Sequence, residues 1–166
     1  MLFTRFAQLT AALLLLTVGI AAPAHAQQNK PIVSGTWYED RAGSGGTTGT
    51  SNITLTFAQT PPTKYLNVTN VACDVHMGTN QNISLMVLNA GTTSGANDLN
   101  RPYSIKANLV SEQWYGGYKS YSIITNQIFY KFGPGRFPSI MINTVQPSGQ
   151  PGLGAQCVIV GNLSDN

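Results

Sequence analysis

Lys64-Tyr65-Leu66-Asn67-Val68-Thr69-Asn70-Val71-Ala72-Cys73-Asp74-Val75 is the stretch that decides the fold class. Leu66 and Val68 share one phase of a two-residue period, and Val71, Cys73 and Val75 share the other. A β-strand points successive side chains to opposite faces, so a slip of one residue turns every later side chain over. One extra residue at Thr69 and Asn70, taken up as a β-bulge, keeps all five apolar side chains on the same face. The stretch is therefore a long strand with one buried face.

The same alternation recurs along the chain. Ile53, Leu55 and Phe57 alternate with Thr54 and Thr56; Ile140 and Ile142 alternate with Met141 and Asn143; Cys157, Ile159 and Gly161 share a face. The pattern predicts strands over 32–38, 52–58, 64–75, 83–90, 103–110, 121–132, 139–146 and 155–163. Turn-forming clusters separate them: the Gly/Ser/Thr run at 42–51, Pro61-Pro62, 91–100, Gly116-Gly117, Gly133-Pro134-Gly135 and 147–154. Glycine supplies positive φ there, and proline fixes φ while removing a donor. No segment carries a helical period with caps. Eight short strands at this spacing predict an all-β chain, a single antiparallel β-sandwich of jelly-roll-like type.

Residues 1–26 have the form of an export signal. Arg5 gives a positive start, Leu9 to Ala22 an apolar run, and Ala24-His25-Ala26 a small-x-small cleavage pattern. The run is short for a membrane span, which needs about 20 apolar residues, and Thr10 and Thr17 interrupt it. Removing the signal leaves 140 residues at 27–166, enough for one domain with one core. The expected location is the periplasm or the medium, with no membrane span in the mature chain.

Charged residues make up 9% of the sequence, against about 25% in an ordinary domain. Hydrophobic residues at 42% exclude disorder by composition. Without Arg5 the mature chain has eight basic and six acidic side chains, spread singly along the sequence. Nucleic-acid binding needs a basic stripe that displaces counterions from phosphates, and no such stripe is present.

Cys73 and Cys157 are the only cysteines. In an oxidising compartment two cysteines pair, whereas 84 positions without a C-x-x-C motif suit neither a zinc nor a redox site. The stretch from Pro62 to Cys73, with Lys64, Leu66, Val68, Val71 and Cys73 in register, resembles a segment of small exported bacterial β-rich proteins of unknown function. Their second signature, Cys-x-Ile-x-Gly-x-Leu, is matched by Cys157, Ile159, Gly161 and Leu163. The resemblance covers about 20 residues, supports a sandwich with a disulfide, and implies no activity.

The inventory of acids and bases is sparse. His76 is the only histidine of the mature chain, and Asp74, two positions earlier, shares its face. A hydrolase would have to use this pair; alternation in a half-buried strand also puts both on a solvated face. One histidine cannot supply a His-rich metal site. Glu39 and Asp40 point apart if extended, so no carboxylate pair for glycoside hydrolysis is evident. The Gly-rich run lacks the Gly-Lys-Ser/Thr ending of a phosphate cradle, and Asn97-Asp98-Leu99-Asn100 has the composition of a turn. No cofactor or metal is expected. The sequons at Asn52, Asn67, Asn82 and Asn162 are of the kind an Asn- and Thr-rich chain produces by chance.

The remaining feature is aromatic. Trp114, Tyr115, Tyr118 and Tyr121 cluster around Gly116-Gly117, with Phe129, Tyr130 and Phe132 following. Such rings can stack on sugars beside polar groups, dock a protein partner, or fill a core. The expectation is a non-catalytic binding or structural module of the bacterial envelope. It would recognise polysaccharide through Trp114, Tyr115, Tyr118 and Tyr121; the alternative is an assembly or adhesion subunit that acts by protein–protein contact, with an envelope protein as partner.

Overall fold

The computed structural model describes residues 30–106, 112–115, 118–145 and 152–165; the expected export signal lies outside them. The ten strands are β1 (Ile32–Ser34), β2 (Trp37–Gly45), β3 (Asn52–Thr56), β4 (Tyr65–Gly78), β5 (Asn82–Gly91), β6 (Tyr103–Ser104), β7 (Glu112–Tyr115), β8 (Tyr118–Phe132), β9 (Phe137–Val145) and β10 (Gly154–Ser164). They form a six-stranded sheet in the order β1-β2-β10-β4-β8-β7 and a four-stranded sheet in the order β3-β9-β5-β6. Every pairing is antiparallel. Without the edge strands β1 and β7, four strands face four. The order β2-β10-β4-β8 over β3-β9-β5-β6 is that of a jelly roll.

Four expectations need correction. The segment 32–38 is a hairpin and not one strand: Gly35 turns the chain at φ +59°, and Trp37 opens β2. β2 then runs through Gly43 and Gly45, expected as loop, because β10 pairs with it from Asn162 to Gly154. Long-range pairing thus overrides a weak local preference. The strand expected over 103–110 is only two residues long in its described part, and β7 was not foreseen.

The bulge in β4 is present. Leu66 and Val68 are buried, then Val71, Cys73, Val75 and Met77, and the register shifts against both neighbours around Thr69. On β10 the bulge lies against Gly161. A Cβ there would sit 2.9 Å from the Asn67 carbonyl carbon and closer still to its oxygen, so only glycine fits. On β8 the accommodation is larger: Val68 pairs with Tyr130 and Asn70 with Asn126, leaving three residues of β8 opposite one of β4. Gln127 takes φ +72°, a conformation uncommon outside glycine. Lys119, Tyr121 and Ile123 point inward before this point, and Ile128, Tyr130 and Phe132 after it.

The core packs these side chains against Ile53, Leu55, Phe57, Met86, Leu88, Ile140 and Ile142 of the facing sheet. Cys73 and Cys157 are directly opposed on β4 and β10 and form a buried disulfide with a Cα–Cα distance of 4.1 Å. Asp40 is the unusual core member, only 2% exposed. Its carboxylate accepts backbone N–H bonds from Ala58 (2.7 Å) and Arg41 (2.8 Å), and the Tyr38 hydroxyl donates to it at 3.4 Å. Burial pushes the Asp40 carboxyl above the usual carboxylate range, and burial together with the nearby Asp40 charge pushes the Tyr38 phenol up.

Candidate functional site

The outward face of the six-stranded sheet gathers most of the polar chemistry. Cross-strand register lays it out in rows across β10, β4 and β8: Val160, Asn70 and Asn126; then Val158, Ala72 and Ile124; then Gln156, Asp74 and Ser122; then Gly154, His76 and Ser120. The small Ala72 between Val158 and Ile124 leaves a depression of about 330 Å³. Its floor is apolar. Arg41, Asp74, Gln156 and Ser122 line its sides.

Hydrogen bonds order these side chains along the sheet. Ser122 donates to Asp74 Oδ1 (2.6 Å), His76 Nδ1 lies 2.7 Å from Ser120 Oγ, and the Asn70 amide donates to Asn126 Oδ1. Asn67 Nδ2 donates to Ser164 Oγ at 3.0 Å. Arg41 is paired with Glu39 at 2.9 Å. The face is therefore a ladder of amides and hydroxyls around a small apolar floor.

The aromatic residues fall on both sides of the sheet. Tyr118 is 43% exposed and lies in the outward phase of β8. Tyr121, expected in the exposed cluster, is a core residue at 4% exposure, with the Lys119 ammonium 5.3 Å from its ring centre. Three residues along a strand invert the face, so Tyr118 and Tyr121 cannot share one. Trp114 and Tyr115 are carried by β7, paired in register with Lys119 and Tyr118; their side chains, and Gly116-Gly117, fall outside the described residues.

The residue that sequence reasoning missed is Phe129. It is 87% exposed, directly after the bulge at Gln127, and borders a hollow of about 240 Å³ with Asn67, Thr69 and Lys131. Lys131 Nζ sits 4.3 Å from the Tyr65 ring centre beside it. Two adjacent apolar pairs, Ile123-Ile124 and Ile128-Phe129, are the only trace in the sequence that the phase changes between them.

His76 and Asp74 share this face, as expected. Residues two apart in a strand are about 6.6 Å apart, and each is bonded to its own serine on β8. Ser120 with His76 has the spacing of a nucleophile and a base, yet the acid that would orient the base is engaged elsewhere. Among the described residues, no group of three or more His, Cys, Asp or Glu could hold a metal ion, and no helix is long and apolar enough to cross a membrane.

The fold and face define a disulfide-stapled jelly-roll module with an open, amide-rich sheet surface. Comparison with models of known protein families and with curated proteins finds no match.

Proposed function

We propose that this protein is an exported, non-catalytic recognition module of the bacterial envelope that binds polysaccharide along the outward face of the six-stranded sheet. The observation that carries the reading is the pairing of exposed rings with ordered polar ladders on one strand. Tyr118 and Phe129 stand near opposite ends of β8, at most roughly 37 Å apart at 3.2–3.4 Å per residue. Between them lie Ser120, Ser122 and Asn126, with Asp74, His76 and Asn70 beside them on β4. A sugar chain offers apolar ring faces and hydroxyls in alternation, the complement of such a surface. Tyr115, in register with Tyr118 on the neighbouring strand β7, continues the same row in this reading, whereas Trp114 is in register with the inward-facing Lys119. A buried disulfide and the signal-like 1–26 segment support an oxidising, extracytoplasmic compartment.

The test is a titration of the 27–166 chain against a panel of envelope and plant polysaccharides by calorimetry. Replacing Phe129 or Tyr118 by alanine is expected to weaken binding about tenfold each, the loss of about 1.4 kcal/mol. Replacing Tyr121 tests only the core. An unchanged affinity in the Phe129 and Tyr118 double variant overturns the reading.

A second reading, contact with a protein partner, is favoured by the flank of β2 that is left unpaired among the described residues. β1 covers β2 only from Trp37 to Glu39, while Ile32, Val33 and Trp37 are exposed. Uncovered strand edges recruit further strands. Sedimentation across a wide concentration range separates self-assembly from the monomer expected of the first reading.

A further inference from the structure

Of the eight basic side chains after the signal segment, three line one cavity. Arg101 is distant in sequence from Lys131 and Arg136, but the three border a cavity of about 260 Å³ beside the end of β8 at Phe132, and among the described residues no acidic one lines it. Leu99, Tyr130 and Phe132 supply apolar wall. Among the described residues the ion pairs are Arg41 with Glu39 and Lys64 with Asp165, so neither arginine here is in one.

The arginines are also placed by the fold. The Tyr130 hydroxyl donates to the Arg101 carbonyl oxygen at 2.6 Å, and the guanidinium of Arg101 lies 5.8 Å from the Tyr130 ring centre. Arg136 donates its backbone N–H to Thr60 Oγ1 at 2.8 Å, and its side chain crosses above Gly133, where a Cβ would meet it at 3.7 Å. Asp98 feels the charge of Arg136, but its carboxylate is taken by the Thr92 backbone N–H (2.8 Å) and hydroxyl, and it does not border the cavity. The Lys131 ammonium rests against Tyr65 and adds positive potential.

We infer that this cavity is a second binding site, separate from the Ala72 depression, that takes a compact oxyanion group through Arg101 and Arg136. Guanidinium forks match the geometry of carboxylate and phosphate oxygens. The apolar wall suits a ligand whose anionic group is carried on a ring or chain, and an acidic sugar and a phosphate ester both meet this description.

The probes are inorganic phosphate and glucuronate, with glucose as the neutral comparison, followed through the arginine side-chain N–H signals by NMR at low ionic strength. Saturable shifts of the Arg101 and Arg136 signals with either anion, absent with glucose, are expected. Preference for glucuronate assigns a carboxylated sugar, and preference for phosphate a phosphate ester. Arg101→Gln and Arg136→Gln should each weaken binding about tenfold, the effect of losing a charge-assisted hydrogen bond. Both positions are at the surface or half-buried, so the variants keep the fold, which backbone amide dispersion verifies. Lys106→Gln, at an exposed position outside the cavity, should change nothing. The inference is overturned if neither anion saturates, if the double arginine variant binds like the parent, or if Lys106→Gln weakens binding equally.

Discussion

Replacing Cys73 and Cys157 together by alanine removes the covalent tie between β4 and β10 while leaving their ladder intact. The bridge closes a span of 84 positions. The loop-entropy relation for that length gives about 4.6 kcal/mol at 25 °C, the constraint being lost from the unfolded chain. Both sulfurs are buried, so the packing lost with them acts in the same direction. A whole domain is stable by about 5–15 kcal/mol, so the variant should remain folded but become marginal. The assay is urea unfolding followed by tryptophan fluorescence. With an m value of about 2 kcal/mol/M, the midpoint should fall by about 2 M. The parent under reducing conditions should fall with it. A midpoint shift below about 0.5 M at unchanged m would refute the reasoning, because the unfolded chain would then gain no freedom from the cut.

Gly161→Ala should cost about 2 kcal/mol or more, since its Cβ would collide with the Asn67 backbone at the β4 bulge; Gly43→Ala, with its nearest contact at 3.7 Å, should be neutral or slightly stabilising in the same unfolding assay. Phe129→Ala should change stability by less than about 0.5 kcal/mol, whereas Phe132→Ala, three positions on but 1% exposed, should cost about 3–5 kcal/mol. Asp40→Asn should cost about 1–3 kcal/mol by leaving the backbone N–H of Ala58 or Arg41 facing an amide donor. The Asp40 carboxyl has a raised pKa in the folded state, so its own contribution is fully present below the unfolded value near 4 and is lost as pH rises through the folded value. The stability advantage of the parent over Asp40→Asn should therefore grow from pH 7 towards pH 4; a flat or opposite trend in urea midpoints counts against a desolvated carboxylate.

The core was legible where parity was unambiguous. Leu66, Val68, Val71, Cys73 and Val75 specify both the buried face of β4 and its bulge, because no unbroken register buries all five. The pairing of Cys73 with Cys157 was legible on a different ground, as the only two cysteines of a chain expected in an oxidising compartment, and the bridge is present. The glycine-rich end of β2 was not legible, because Gly43 and Gly45 carry no parity and become strand only through pairing with β10. The candidate aromatic site was half legible for a related reason. Tyr118 and Tyr121 look like one cluster in sequence, but their odd spacing sends them to opposite faces. Phe129 was hidden because it faces solvent only through the phase change at Gln127, whose side chain gives no hint of its positive φ. The cationic cavity was hidden most completely, since Arg101 and Arg136 meet only after the sandwich closes.

The place of β10 bears on how the chain assembles. It is the latest of the described strands in sequence, yet it lies inside the six-stranded sheet, with β2 on one side and β4 on the other. Those two make no ladder with each other; β10 alone joins them. A ribosome or a translocation channel delivers the amino-terminal strands first. Until residues 154–164 arrive, β2 and β4 have open edges and Cys73 has no partner. The six-stranded sheet therefore cannot close until residues 154–164 are available to it. Insertion of β10 covers one edge of β2 and one edge of β4 at once, and the bridge to Cys73 ties it in place.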